Sequence, residues 1–472
     1  MTRPPHRYLG GLCAAVLAVF AGCAVGPDYT RPAVPTPDAY AELGAWKKAE
    51  PRDGASRAGW WHIFNDRTLD DLEEQAASAS PTLRAALARY DQALAAARIE
   101  RAQAYPALTA GGTAVRERFS GNRQVEFPGT AFAYTANSFD LPLQLSYEVD
   151  LFGSVRRAIE GARASAEAEG ANYQNVLLLL EAGVARDYYN LRSLVAQREL
   201  LAQDAALLSD ALELVQKLRR GGANSDLDVY QAQAELESVR SSELAAERAI
   251  ATAQHALAVL VGRNPEGFAL DVRPLGADVP EVPVGLPSDL LERRPDIAAA
   301  ERTLAAANAR IGVAKAAFFP SIGLTAFAGA NSSDLNNLLT WGSREWAAGP
   351  ALSLPLFRGG ANVAGLQQAK AAYEEALSNY RQHVLVGFQE VEDGLSDLRL
   401  LSRQTQVLGR AVEASHGATR LSTLRYKAGL VSYIEVIESQ RTQLDNEISL
   451  TQARASRLEA TVLLIRALGG GW

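Results

Sequence analysis

The sequence predicts a mainly α-helical protein with a smaller membrane β component, built from two structural repeats. Three observations support this prediction: an ungapped internal repeat, two long proline-free segments rich in helix-forming residues, and short stretches of alternating hydrophobicity. The repeat has a spacing of 207 residues, and its matched positions are Tyr173 and Tyr380, Gly222 and Gly429, Ser225 and Ser432, Leu227 and Ile434, Val229 and Val436, Gln233 and Gln440, and Gly262 and Gly469. Each copy is predicted to contain a helix, two strands, a very long helix and a long returning helix.

The chain begins with a predicted export signal. Two arginines precede an apolar run from Tyr8 to Gly22, and a small-residue cleavage site follows at Cys23. We expect residues 1–22 to be a lipoprotein signal peptide and Cys23 to carry a covalent lipid such as palmitate; an ordinary signal peptide cut elsewhere is the alternative. Cleavage changes the formal net charge from −7 to about −9, and this acidic balance does not indicate nucleic-acid binding.

Membrane strands are predicted from alternating hydrophobicity. Between Phe139 and Leu151 every odd position is apolar and most even positions are polar, which is typical of a strand with one apolar and one polar face. Similar patterns occur elsewhere, so strands are predicted at about 107–119, 137–151, 321–331 and 345–356. A soluble β-sandwich shows the same alternation and is the alternative.

The proline-free segments predict coiled-coil hairpins. A helix from residue 154 to 218 would span about 100 Å at 1.5 Å per residue. Apolar residues recur every seven positions in both copies, which predicts seams along Leu194, Leu201, Leu208 and Val215 and along Leu400, Val407, Ala414 and Leu421. Gly222 and Gly429 are expected at the tips, where each hairpin reverses.

Four strands per chain cannot close a barrel, and an unpaired strand edge is not tolerated in lipid. Two copies would give eight strands and an interior filled by side chains, whereas three copies would give twelve strands and a lumen. Four helical segments per chain would likewise give a ring of twelve helices. A homotrimer is therefore the simplest conducting assembly.

Several motifs together resemble a known family. They are Trp60-Trp61, Gly26-Pro27-Asp28-Tyr29, Leu291-Glu292-Arg293-Arg294-Pro295-Asp296, Gly429-Leu430-Val431-Ser432-Tyr433-Ile434-Glu435-Val436 and Gly469-Gly470-Gly471-Trp472. Over the whole mature chain the sequence resembles the TolC and OprM family of outer-membrane efflux channels, in its lipoprotein branch. The resemblance implies a homotrimer with a twelve-stranded outer-membrane β-barrel, a long periplasmic α-helical barrel of coiled-coil hairpins, and a belt at mid-height.

This resemblance also gives the expected domain order. Residues 23–80 would form the lipidated N-terminal segment and part of the belt, and residues 81–262 would form the first repeat. A proline-rich connection at 263–294 would complete the belt, because proline cannot continue a helix. Residues 295–472 would form the second repeat.

Candidate pore residues lie near the tips of the hairpins. Asp228 and Glu435 each follow a serine by three residues at the start of a returning helix, which predicts a capping box. Glu438 lies one turn further along, too far to cap. The resemblance implies that Glu435 and Glu438 face a narrow periplasmic aperture, and that Tyr426 helps to hold it closed by hydrogen bonding; packing against a neighbouring helix is the alternative for Tyr426.

The resemblance implies that the turns themselves contact a periplasmic adaptor, also called a membrane fusion protein. These turn residues are Gly222, Ala223, Asn224, Gly429, Leu430, Val431 and Ser432. Turn chemistry alone also requires glycine and small residues here. Val431 stands where the family has a basic partner for the closed entrance, so Arg219, Arg220, Arg425 or Lys427 is expected to replace that partner.

The expected function is passive export of small amphiphilic compounds or drugs, energised by an inner-membrane resistance-nodulation-division transporter. A duct for protein secretion and a periplasmic coiled-coil adaptor or structural lipoprotein are the alternatives. No enzyme activity, metal or cofactor other than the covalent lipid is expected, because the five histidines lack metal-ligand spacing and no phosphate-loop or nucleophile pattern occurs. Most acids alternate with Arg and Lys along the helices and are expected on solvated faces.

Overall fold

The computed structural model describes residues 24–34, 41, 59–122, 132–275, 280 and 293–470. The chain divides into two compact units, each containing segments of both repeats. The sheet unit comprises Met1–Pro32, Tyr90–Glu169 and Ala300–Tyr380, and the hairpin unit comprises Ala33–Arg89, Gly170–Ala299 and Arg381–Trp472. Cys23 and residues 286–292 lie outside the described residues.

Helices of equal length occur at equivalent places in the two copies. Helix α1 covers Arg67–Ala79 and precedes the first copy. The first copy contains α2 (Pro81–Ala102), α3 (Ser154–Arg220) and α4 (Asp226–Leu260), and the second contains α5 (Pro295–Ala316), α6 (Ala361–Lys427) and α7 (Tyr433–Ala467). Their lengths are 22, 67 and 35 residues in both copies. The predicted repeat and the predicted long hairpins are therefore present.

Glycines end the long helices at equivalent positions. Gly222 and Gly429 have φ values of 78° and 70°, in the left-handed region that residues with a Cβ rarely adopt. The amide that follows each glycine bonds back to the preceding helix, from Ala223 to Leu218 at 2.9 Å and from Leu430 to Arg425 at 2.9 Å. These bonds satisfy carbonyls that have no partner inside the helix, so the reversal is encoded locally.

Five strands form one antiparallel sheet, with β1 and β2 on the same side of β3. They are β1 (Ala107–Ala110), β2 (Thr113–Phe119), β3 (Tyr134–Val149), β4 (Ser321–Ser332) and β5 (Arg344–Ser353). The pairings of Ala110 with Leu143 and of Thr113 with Asp140 share one register, so β1 and β2 are one strand interrupted opposite Pro142. The four predicted strands are thus present. The predicted fourth strand was too long, because β5 ends before Leu354, next to Pro355.

The two faces of the sheet differ in polarity, as the alternation predicts. Residues directly opposite each other in an antiparallel sheet project to the same face. Leu143 lies opposite Ala328, which lies opposite Trp346, and further apolar sets follow along the strands. The other face carries Asp140, which accepts hydrogen bonds from Asn331 and, at 3.2 Å, from Thr113. We call the first surface the apolar face.

The main apolar core lies in the hairpin unit and contains two acids that the sequence did not reveal. Trp60, Leu69 and Leu257 are among its buried residues. Glu73 is fully buried, and neither of its carboxyl oxygens has a hydrogen-bond partner among the described residues. Burial, with Glu181 and Asp70 nearby, raises the pKa of Glu73 to about 10. The expectation of a solvated acid is therefore wrong at this position, and Glu73 is a neutral carboxylic acid at neutral pH.

The second acid of this core is Glu181. Burial raises its pKa to about 7, although the Trp60 indole opposes the shift by donating a hydrogen bond of 2.9 Å to the carboxylate. Its charge therefore changes near neutral pH. Glu181 lies in the core although it is polar, because its position on the helix faces inward.

The predicted seam of the first hairpin is present. Leu201, Leu208 and Val215 of α3 are buried, and Leu194 is half-buried against the main core. They pack against residues of α4 and α7, including Leu236 and Tyr433. The heptad therefore forms a seam within the chain.

The predicted seam of the second hairpin is wrong within one chain. Its four residues are exposed: Leu400, Val407, Ala414 and Leu421. The buried positions lie one residue further along, at Ser415 and Ser422, which are equivalent to Leu208 and Val215 of the first copy. One residue corresponds to a rotation of about 100° around a helix. Small polar residues fill the inner face of α6, so hydrophobic periodicity identified a different face.

Candidate functional site at the hairpin tips

The first tip is stabilised by its own residues. The Ser225 hydroxyl accepts a hydrogen bond from the Asp228 amide at 3.3 Å, and the Asp228 carboxylate accepts one from the Ser225 amide at 2.9 Å. This is the predicted capping box, which satisfies free amides at the start of α4. Arg219 and Asp226 form an exposed ion pair at 2.6 Å across the turn.

The second tip has a different arrangement. Ser432 begins α7 without a side-chain hydrogen bond to the helix, so the predicted capping box is absent. Glu435 instead forms an ion pair of 2.9 Å with Arg425, which lies at the end of α6. The prediction that Glu435 caps is wrong, because a guanidinium from the preceding helix binds the carboxylate.

A hydrogen bond joins the two tips. The amide nitrogen of Asn224 donates to the Tyr426 hydroxyl at 2.7 Å. The Tyr426 ring also lies 5.2 Å from the ring of Tyr433, measured between centroids. Tyr426 therefore both accepts a hydrogen bond and packs against a neighbouring aromatic ring. Its partner in this chain is an amide, whereas the sequence suggested Arg219, Arg220, Arg425 or Lys427.

Tyr433 anchors the second tip to the first hairpin. It is buried in a cluster with Val215 and Ala232. Burial raises the pKa of Tyr433 to about 12, with Tyr426, Glu235 and Asp204 contributing. The Tyr433 hydroxyl has no hydrogen-bond partner among the described residues. Contact at this site is therefore mainly apolar, and sequence reasoning missed it.

Charged residues join the hairpins further from the tips. Arg441 of α7 binds the buried Glu235 of α4 through an ion pair with two hydrogen bonds. Glu447 lies 2.7 Å from a ring nitrogen of His416. Burial, followed by the nearby carboxylates of Glu235 and Glu447, raises the pKa of Asp204 to about 6. The sequence contains these acids but gives no sign that they converge.

The other predicted pore and adaptor residues lie at the surface of the tips. Glu438 is exposed and forms no ion pair within the described part of the chain. Leu430 is also exposed, and Val431 is half-buried. No atom would contact a Cβ placed at Gly222 or Gly429 within 4 Å. The tips thus present a carboxylate and small or apolar residues to solvent.

The described residues contain no cluster of three or more His, Cys, Asp and Glu side chains with the geometry to hold a metal ion. Among the same residues, every helix is too short or too polar to be a membrane span.

The family assignment follows from comparison with known sequences. The profile of the family described as Outer membrane efflux protein matches residues 72–263 and 286–470. The chain belongs to this family. The two matched segments correspond closely to the two repeats. Membership of the family identifies the chain as an outer-membrane channel for efflux that extends into the periplasm.

Named relatives cover nearly the whole chain. The chain is 34% identical to the probable efflux pump outer membrane protein TtgC of Pseudomonas putida, over 98% of this chain and 95% of that protein. It is 33% identical to the outer membrane protein OprJ of Pseudomonas aeruginosa, over 98% of this chain and 96% of that protein. Among solved structures, the outer-membrane channel OprN matches with a TM-score of 0.85 and 32% identity, covering 95% of this chain and all of that one.

Proposed function

We propose that three copies of the chain form the passive outer-membrane duct of a tripartite efflux pump. The sheet supports this proposal, because β5 and the β1–β2 strand each have only one neighbour in the described sheet. Three copies of four strands would pair these edges into a twelve-stranded barrel with a lumen. The β-sheet's apolar face would then contact lipid.

The exposed face of α6 also supports a trimer. Val407 and Leu421 are 55% and 57% exposed in one chain, although they belong to a regular heptad of apolar residues. Such a row is suited to a helix of another copy, because burying an apolar side chain stabilises an assembly by about 1.5–3 kcal/mol. Three sets of helical hairpins would form the periplasmic α-helical barrel.

We place the aperture of this duct at the hairpin tips. Glu435 and Glu438 from three copies would bring six carboxylates to one constriction. Glu438, which forms no ion pair within the described part of the chain, would attract cations more strongly than Glu435, which is paired with Arg425. Asp228 is engaged in a capping box and contributes less. The hydrogen bond between Asn224 and Tyr426 would hold the hairpins together when the aperture is closed.

The same tips would receive the periplasmic adaptor. The turns at residues 222–224 and 429–432 lie at the surface. Their backbone groups and the Leu430 side chain are accessible to an approaching partner. An adaptor that separates the two tips must break the bond of Tyr426 to Asn224. Binding of the adaptor would in this way be coupled to opening, and the inner-membrane resistance-nodulation-division transporter would supply the energy.

Lipid on Cys23 would add a second attachment to the outer membrane. The Val25 amide donates a hydrogen bond of 3.0 Å to the Phe152 carbonyl, which follows the end of β3. Residues that come directly after Cys23 are therefore held beside the sheet. The segments 23–80 and 263–294 would contribute the belt at mid-height, and 81–262 and 295–472 would be the two repeats.

Small amphiphilic compounds or drugs are the proposed cargo. The relatives carry names that include antibiotic efflux and toluene efflux from Pseudomonas putida. Small molecules of this kind need no chemistry from the channel itself. No enzymatic step is proposed for the chain.

The aperture is tested by the double substitution Glu435→Gln and Glu438→Gln. We expect reduced cation preference and weaker block by multivalent cations, because closely spaced carboxylates in a narrow mouth attract such ions strongly. The measurement is the single-channel reversal potential under a salt gradient in planar bilayers. Glu74→Gln, at an exposed acid of α1, is the matched control and should leave selectivity unchanged. Unchanged selectivity in the double variant would place the aperture elsewhere.

A further inference from the structure

Three arginines lie on the apolar face, in the half of the sheet away from the strand ends that lead to α3 and α6. Arg344 lies opposite Ala330, which lies opposite Leu141, so the three share this face. Arg116 and Arg118 of β2 also lie on this face. They follow Ala114 by two and four residues, and Ala114 lies opposite Phe139, which shares the face of Leu141. The opposite ends of β3 and β5 lead to α3 and α6 and would be periplasmic in the proposed barrel. The arginines would therefore lie in the outer half of the apolar face.

These arginines are available to an external anion. No carboxylate of the described residues forms an ion pair with Arg116, Arg118 or Arg344. The Arg344 guanidinium lies 4.0 Å above the ring of Trp341, which is 79% exposed. A cation–π contact of this kind fixes the guanidinium plane and leaves its edge free for a bidentate acceptor.

A groove of about 540 Å³ lies next to Arg344 on the same face. Its walls are mostly apolar and include Leu141, Ala328, Leu339 and Trp346. The connection between β4 and β5 folds over the sheet to form one wall, and its Leu338 is only 6% exposed. The groove thus combines an apolar floor with a cation at its outer end.

We propose that this groove binds a phosphorylated glycolipid of the outer leaflet, with an acyl chain in the groove and a phosphate on Arg344. Arg–phosphate pairs are bidentate and strong, and the apolar walls match a hydrocarbon chain. A soluble anion would gain nothing from these walls. An inner-leaflet phospholipid would lie at the other end of the strands. The inference rests on the proposed barrel, in which the apolar face contacts lipid.

The proposed trimer would add a second cationic group to each site. Arg344 belongs to one edge strand, β5, and Arg116 and Arg118 belong to the other edge strand, β2. When copies pair edge to edge, neighbouring strands lie about 4.8 Å apart. Arg344 of one copy and the two arginines of β2 in the next copy would then flank the same joint between copies. A glycolipid with two phosphates matches such a pair of cationic groups.

The test measures binding of bis-phosphorylated lipid A to delipidated trimers in detergent by native mass spectrometry. We expect Arg344→Gln to weaken binding about tenfold, which corresponds to about 1.4 kcal/mol, because the substitution removes charge-assisted hydrogen bonds to the phosphate. The double substitution Arg116→Gln and Arg118→Gln should weaken it further. Arg358→Gln, at an exposed arginine near the periplasmic end of the sheet, is the matched control and should leave binding unchanged.

Further probes separate the possible sources of binding. Dephosphorylated lipid A should bind to the unsubstituted protein more weakly than the bis-phosphorylated form does. Its affinity should be the same for the unsubstituted protein and for Arg344→Gln. Equal binding of bis-phosphorylated lipid A to all variants would overturn the proposal, as would equal competition by phosphatidylglycerol or full displacement by inorganic phosphate. Heat-modifiable trimer migration is recorded in parallel. Failure of the unsubstituted chain to form trimers would contradict the proposed function, whereas normal trimers without selective binding would contradict only the lipid site.

Discussion

Equivalent positions of α3 and α6 bury different kinds of side chain. In α3, Leu208 and Val215 fill the seam between helices of the same chain. At the equivalent positions of α6 the buried residues are Ser415 and Ser422, and Ser415 donates to the Val412 carbonyl of its own helix at 2.9 Å. The apolar residues Ala414 and Leu421 lie one position earlier in α6 and are exposed. The two copies therefore use one backbone plan for different contacts, one within the chain and one that we propose between copies.

The junctions that begin α2 and α5 differ in the same way. Gly262 and Gly469 lie beside the backbone carbonyls of Ala79 and Arg293, so the two junctions share a close approach of main chains. In the second copy the buried Arg294 binds Asp296 at 2.7 Å and Glu390 at 2.6 Å. In the first copy Ser80 takes the place of Arg294 and accepts a hydrogen bond of 3.4 Å from the Leu83 amide.

These differences show that duplication preserved the backbone joints and changed the side chains around them. Close main-chain contacts tolerate only glycine, so their positions remain the same in both copies. Side-chain clusters can be apolar or ionic provided that every buried charge has a partner.

The largest expected effect concerns the exposed face of α6. The double substitution Val407→Asp and Leu421→Asp should abolish the trimer, because it would place six charges in a contact between copies. Heat-modifiable migration of outer-membrane fractions measures this loss. Val407→Leu with Leu421→Met keeps the surface apolar and should retain trimers. Stable trimers with both aspartates would show that this face of α6 is not a contact between copies.

The next largest effect is at the ionic junction. Arg294→Ala leaves Asp296 and Glu390 without their buried guanidinium and should lower the free energy of unfolding by about 3–5 kcal/mol. Ser80→Ala, at the equivalent position of the first copy, removes only a capping hydrogen bond and should cost about 1 kcal/mol. Chemical denaturation of both variants measures the difference. Equal losses in the free energy of unfolding would mean that the two junctions contribute equally to stability despite their different residues.

A third comparison concerns the two seams. Leu208→Ala should cost about 3 kcal/mol, because it removes a fully buried side chain and leaves a cavity. Ser415→Ala should cost less than about 1 kcal/mol, since the serine bonds only to its own helix. Melting of both variants in the same detergent measures the ratio. A costly Ser415→Ala would show that this hydroxyl has a role beyond its helix.

The smallest effect is a dependence on pH at Asp204, whose equivalent in the second copy is Ala411. The pKa of Asp204 is raised from 3.8 to about 6 in the folded chain, so folding favours the protonated form. The stability that this group contributes is therefore complete below about pH 4 and is lost as the pH rises through 6. We expect the loss to be below about 1 kcal/mol, because solvent screens this half-buried group.

Asp204→Asn should remove this dependence. Melting temperatures of the variant and the unsubstituted protein are compared from pH 4.5 to 7.5, and the variant should gain relative stability toward the upper end. Asp210→Asn, at an exposed acid of α3, controls for the general loss of a charge. A constant difference across this range would contradict the assignment.

Much of the fold follows from local patterns in the sequence. Helix and strand periods, the absence of proline, and glycine at the reversals predicted the long hairpins and the four strand regions, because these signals act within a few residues. The repeat spacing then required both copies to have the same elements. At the tips, the Ser225–Asp228 capping box was predictable for the same reason.

Tertiary structure decided which side chains meet. The bond from Asn224 to Tyr426 joins residues 202 positions apart, and nothing local to either residue predicts the partner. Glu435 and the equivalent Asp228 have different partners, and the guanidinium that binds Glu435 comes from Arg425, ten residues earlier in the chain. The neutral Glu73 depends on a core assembled from distant segments. A heptad shows that a helix has an apolar face, but the neighbours present in the folded chain determine whether that face is covered, since burial depends on rotation about the helix axis and on packing.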